Sequence, residues 1–177
     1  MRKVLGVALG LILAFTWSEV AAQQKMHACS LLTAGEIGDA VGSKIGESRE
    51  SDTVIPQGPS KGETMGTCMW KVGEQGMVSV SVIRAAQGAQ REAGLARMNQ
   101  AFETLKAKGW TEEKKDYGSA RCAIMTPPPS EPTMPTSTGC IAEAKGMGLS
   151  VGLMAPKKTG TIDRMKALLD KAISRLP

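Results

Sequence analysis

The chain has one histidine and little aromatic surface: three tryptophans, two phenylalanines and one tyrosine. The lone histidine, His27, stands in a short polar stretch near the N-terminus. A triad hydrolase needs a base positioned beside its nucleophile, so that class of chemistry is disfavoured. No G-x-S-x-G, H-E-x-x-H or phosphate-cradling glycine loop occurs, and no cysteines pair at zinc-site spacing. There is no basic stripe either. The 22 Lys and Arg are interspersed with 17 Asp and Glu, for a formal charge of +5. Scarce aromatics and dispersed charge together argue against nucleic-acid binding.

Only one long apolar run is present, Val4 to Phe15. Arg2 and Lys3 precede it and Val20-Ala21-Ala22 follows it. That order is an export signal, with cleavage expected after Ala22. No cysteine directly follows the cleavage point, so lipid attachment is not expected. No second run could span a bilayer, so no stable membrane insertion is expected after cleavage. The expected mature chain, residues 23–177, is long enough for one domain with a real core. The expected location is periplasmic or secreted.

The four cysteines, Cys29, Cys68, Cys122 and Cys140, all follow the signal. An even count in an oxidising compartment implies two disulfides. Just after Cys29, Thr33 and Glu36 form a capping-box signature. Leu32 and Ile37 match the hydrophobic staple, and Gly42 is a natural stop. A short helix follows from these signals.

Lys44 to Ser51 reads as a possible edge strand, and residues 51–66 as a loop rich in Gly, Ser and Pro. Thr67–Val72 and Met77–Ile83 read as a hairpin, with Val78, Val80 and Val82 on its buried face. Gly88 to Gly109 is amphipathic, with Leu95, Met98, Phe102 and Leu105 at helical spacing. Glu112 to Asp116 reads as a charged turn. Ser119–Met125 is a strand. Residues 126–138, "TPPPSEPTMPTST", read as an exposed loop, because proline removes donors and fixes the backbone. Gly139–Lys145 and Met147–Met154 form a second hairpin. Thr161 to Leu176 carries a nearly complete apolar helical stripe. Both hairpins start their first strand with a cysteine, and both lead into a helix. The expected architecture is α+β: an antiparallel sheet of five to six strands, built from two hairpin-plus-helix units, with helices packed on it.

This layout resembles a group of small exported bacterial proteins of unknown function, many of them actinobacterial lipoproteins. The matching residues are Cys29-Ser30-Leu31-Leu32-Thr33, Gly42, Cys68 with Trp70, Gly118 with Ala120, and the C-terminal "ALLDKAISRLP". Similar topology occurs in extracytoplasmic sensor domains of receptor kinases and in PsbP-like domains. The resemblance implies a sheet with flanking helices and a binding or sensing role. The chain departs from the group in lacking the lipid-attachment cysteine and in adding Cys122 and Cys140. The expected staples join Cys29 to Cys68 and Cys122 to Cys140.

Candidate chemistry is thin. Glu112, Glu113 and Asp116 are candidate clustered carboxylates for a glycosidase-like enzyme, though such a charged run is usually a solvated face. The chain has 11 methionines. Thioethers bind copper(I), and Met26, His27, Met65 and Met69 are the plausible soft ligands. With few aromatics, methionine also serves as core filler. The proline-rich loop could act as the wedge of an inhibitor of a foreign hydrolase. The leading expectation is a non-catalytic exported domain, without a cofactor, that binds a protein or small molecule.

Overall fold

The computed structural model describes residues 27–58, 60–84, 99–156 and 160–177. The signal segment, Met26, Leu95 and Met98 lie outside the described residues. The chain opens with a 3-10 turn, Ala28–Ser30, and helix α1, Ala34–Val41. Strands β1 (Ile45–Val54), β2 (Thr64–Val72) and β3 (Gly76–Arg84) follow. Residues 99–107 belong to helix α2. Then come β4 (Thr111–Tyr117), β5 (Ala120–Thr126), β6 (Thr136–Ala144), β7 (Met147–Ala155) and helix α3 (Ile162–Ser174).

The strands form one antiparallel sheet in the order β1-β2-β3-β7-β6-β5-β4. The expectation of five to six strands is therefore corrected to seven. The additional strand is β4, read from sequence as a charged turn. Glu112 to Asp116 has no apolar alternation because β4 is an edge strand, and its residues are exposed or half-buried. Charge on an edge also blocks pairing with other chains. The two loop boundaries shift as well. β1 runs on to Val54 and β2 starts at Thr64, so the loop is 55–63 rather than 51–66. β6 starts at Thr136, so the proline-rich connection is 127–135 rather than 126–138. Thr136 and Thr138 are buried, and Pro128 is buried too, whereas residues 129–134 are exposed.

Local chemistry accounts for the helix ends. Thr33 Oγ1 accepts from the Glu36 N–H at 3.3 Å, and Glu36 Oε2 accepts from the Thr33 N–H at 2.9 Å. Gly42 closes α1 at φ 68°, where L side chains are strained. Gly109 closes α2 at φ 87°. There the Trp110 N–H reaches the Leu105 carbonyl and the Gly109 N–H the Lys106 carbonyl, a Schellman arrangement.

One face of the sheet is the core. It carries Cys68, Trp70 and Val72, then Val78, Val80 and Val82, then Leu149, Val151 and Leu153, then Thr138, Cys140 and Ala142. Helix α3 packs there against β5, β6 and β7, through Ile162, Met165, Leu168, Leu169 and Ala172. Ile173, expected in the same stripe, is half-buried. The 3-10 turn covers β1, β2 and β3, and α1 packs on α3 and β1.

The two hairpins are related by an approximate two-fold axis at the centre of the sheet. β3 and β7 pair with Val80 opposite Val151. Cys68 stands opposite Val80, and Cys140 opposite Val151. Glu50 stands opposite Cys68, and Cys122 opposite Cys140. The halves differ by one turn residue, three at 73–75 against two at 145–146.

Cys122 is bonded to Cys140, with Cα atoms 4.0 Å apart on adjacent strands. Cys29 is bonded to Cys68, tying the 3-10 turn to β2 across 39 residues of sequence. No free cysteine remains among the described residues. Loop entropy gives the shorter closure about 3 kcal/mol and the longer about 4 kcal/mol. Replacing Cys122 and Cys140 together by alanine should lower the urea-unfolding free energy by about 3 kcal/mol. Chemical denaturation without reductant measures this. An unchanged midpoint would show that the strand pairing alone fixes the two residues.

Candidate functional site

The inward rows of the sheet are apolar at one end and fail at the other. On β3 the row Val78, Val80, Val82 continues to Arg84. On β2 the row Val72, Trp70, Cys68 continues to Gly66 and Thr64. On β1 the neighbouring inward position is Asp52, opposite Gly66, while Val82 flanks Gly66 on the other side. Gly66 therefore leaves a gap between Asp52 and Val82 where every other strand carries a side chain.

A cleft of about 560 Å³ opens over this gap. Its apolar lining is Leu31, Val82, Met147, Leu176 and Pro177, beside Gly66. Its polar lining includes Asp52, Glu63, Thr64, Arg84, Arg175 and His27. The volume lies in the range of about 300–1,000 Å³ seen for small-molecule sites. The wall from the N-terminal turn is held by the Cys29–Cys68 bond and by Glu50. That carboxylate accepts from the Cys29 N–H at 3.3 Å and lies 3.5 Å from His27 Nδ1.

The opposite wall is the end of α3. Arg175 donates from Nη1 and Nη2 to the two carboxylate oxygens of Glu36, each at 2.8 Å. Its Nη1 also donates to the Leu31 carbonyl at 3.0 Å. Lys145 Nζ donates to the Leu176 carbonyl at 2.6 Å. These bonds lock α3, α1 and the N-terminal turn into one rim. Glu36 thus serves two structures, the α1 cap and the α1–α3 clasp. The Arg175 guanidinium and the Thr33 N–H hold its carboxyl down at about 2, against an ordinary 4.5.

A depressed carboxyl stabilises the fold only while ionised. The contribution is complete above about pH 4.5 and is lost as pH falls toward about 2. Glu36→Gln should lower stability near neutral pH by about 1 kcal/mol. It should also flatten the pH dependence between those two values. Denaturant melts at a series of pH values test this, and an equally steep acid loss in the variant would assign the effect to other groups.

Of the described residues singled out from sequence, His27 lines the cleft and the others lie elsewhere. Glu112 and Asp116 are outward on β4, where Lys106 Nζ meets Glu112 at 2.8 Å and Arg121 Nε meets Asp116 at 3.1 Å. Glu113 alternates to the other face, so the strand separates the carboxylates rather than converging them. Met65 and Met69 are half-buried on the outward face of β2. His27 is on the inward side, at the cleft. The proposed soft ligands are thus on opposite faces. In the connection 127–135, Met134 is exposed and the loop is held by short internal turns, Glu131 N–H to Pro128 O and Met134 N–H to Glu131 O.

The sequence reading missed Thr64, Gly66, Arg84 and the α3 rim. The signal was present in the alternation itself: a glycine and an arginine stand at inward positions of two otherwise apolar rows. Inward glycine marks a place where space or close approach is needed.

No family model matches the chain, and no curated protein matches it. Among solved structures it is similar to the extracellular domain of PknH from Mycobacterium tuberculosis. The match has a TM-score of 0.53 at 13% identity, and covers 84% of this chain and 93% of the other. At that identity the likeness is one of fold, and it fits the sensor-domain topology that the motifs imply. Among the described residues, no helix is long and apolar enough to cross a membrane.

Proposed function

We propose that the protein is an exported, non-catalytic binding domain whose ligand occupies the cleft beside Gly66. The observation that carries this reading is the coincidence of three features at one place. The inward row of β2 loses its side chain there at Gly66, helix α3 ends there, and a network of charged hydrogen bonds fixes the rim. A fold needing only a core would fill the Gly66 position. Export is supported by the expected cleavage after Ala22, by two disulfides, and by a neighbour in fold that is itself an extracellular domain. Kinship with the exported "CSLLT…C-x-W" proteins belongs to the same reading and rests on the motifs.

The neutral fluorescent probe N-phenyl-1-naphthylamine tests the cleft without assuming a ligand. It should bind saturably and brighten. Gly66→Leu, which places a side chain in the gap, should abolish the signal. Thr64→Trp, at the rim of the same space, should do the same if the glycine variant folds poorly. Absence of saturable binding, or binding indifferent to both variants in folded protein, would overturn the reading.

A further inference from the structure

We propose that the outward face of the sheet holds a site for a single soft monovalent cation, of the copper(I) class, with the thioethers of Met69, Met77 and Met154 as its ligands. This face is turned away from the cleft, so the inference does not depend on the cleft reading.

The register brings the three residues together. Met77 on β3 stands directly opposite Met154 on β7. Side chains so placed leave their strands about 5 Å apart at Cβ. One step along the same face, Met69 on β2 stands opposite Ser79, and Ser79 stands opposite Gly152. Met69 is therefore the diagonal neighbour of Met77, at a spacing of about 7–8 Å that long side chains bridge. A Cβ added to Gly152 would lie 3.4 Å from the Ser79 Oγ. Ser79 and Gly152 thus make a shallow floor, bordered by Met69 on one side and by the Met77–Met154 pair along the strands.

Burial and chemistry point the same way. Met77 and Met154 are 37% and 43% exposed, so neither fills the core as the buried Met165 does. Thioethers are soft, neutral ligands that select copper(I). On β2, β3 and β7 these two rungs carry no carboxylate and no imidazole; the remaining residues are Lys71, Ser79 and Gly152. A hard divalent ion finds no ligand there, and the Lys71 charge opposite Met77 opposes it more than a monovalent one. No thiolate competes, because all four cysteines are in disulfides. The lone histidine, His27, lies on the other face at the cleft. An apolar partner protein would be served as well by leucine at these positions, whereas a soft metal needs the sulfur.

Silver(I) is the redox-inert probe. The protein, isotope-labelled at its methionine methyl groups, is titrated with silver nitrate in chloride-free buffer. The signals of Met69, Met77 and Met154 should shift together and saturate at one equivalent. Met77→Leu and Met154→Leu are volume-conserving changes at exposed positions and should fold. Each should weaken silver binding by about tenfold or more, since loss of even an outer partner of a metal ligand costs that much. Met134→Leu, exposed in the connection 127–135, should leave binding unchanged. Thioethers carry no proton, so affinity should be equal at about pH 5 and about pH 7.5, a span over which a histidine ligand is lost. Copper(I) maintained by ascorbate should displace the silver and shift the same three signals. Absence of saturation at one equivalent, shifts spread evenly over all methionines, affinity indifferent to both leucine variants, or affinity lost toward pH 5 would each overturn the site. Failure of copper(I) to displace silver would overturn the assignment to copper.

Discussion

One rung of the sheet organises the whole molecule. It runs Glu50, Cys68, Val80, Val151, Cys140, Cys122, Lys115, one residue from each strand in spatial order. All seven point to the core face. Its centre, Val80 against Val151, is where the two halves meet. Both disulfides leave from this rung, one across it to the neighbouring strand and one up to the N-terminal turn. Its charged ends are tied down as well. Glu50 holds the turn through the Cys29 N–H, and Lys115 Nζ reaches Asp163 of α3 at 2.9 Å. A register slip of one residue at any ladder would turn that strand's share of the rung to the other face. Register, disulfides and helix docking are therefore one constraint.

The near-symmetry of this rung makes its one difference informative. Where the second half has Cys122 opposite Cys140, the first half has Glu50 opposite Cys68. Cys68 is thereby left to bond upward, and the 3-10 turn is drawn over β1, β2 and β3. On the other side, the cross-strand bond lies flat and α3 covers the strands directly. The two halves are thus roofed by different means, a stapled turn and a packed helix. They meet at Glu36 and Arg175, where the cap of α1 and the end of α3 share one ion pair.

Much of this was legible in the residues. The Thr33–Glu36 box, Gly42, Gly109, both hairpins and α3 are each specified by local chemistry that acts over a few positions. The cysteines were legible because alternation puts Cys122 and Cys140 on matching faces of consecutive strands. What was not legible depends on sheet position. β4 is an edge, and an edge strand buries little, so "TEEKKDY" carries no apolar period to read. β1 is the other edge, and its exposed residues gave only a weak signal past Ser51. The strand parts of both loops were hidden by neighbouring proline and glycine, whose effect stops within a residue or two once the ladder takes over.

The cleft was illegible for a different reason. None of its residues is unusual alone: Gly66 can be read as a turn residue, Arg84 as a strand end, Arg175 as a helix-terminal cation. They become a site only because the register places Gly66 between Asp52 and Val82, and because α3 stops short of that rung. A roof made of a turn and a helix end cannot be continuous. The turn is anchored at Cys68, one inward position from Gly66, and the helix end is anchored at Glu36. The uncovered part of the core face must then fall between those two anchors, over β2 and β3. An apolar inward row there would expose hydrophobic surface to water. Ending the rows in Gly66, Thr64 and Arg84 avoids that exposure and leaves a rimmed space with charge at its mouth. The location of the cleft thus follows from the same rung that fixes the fold.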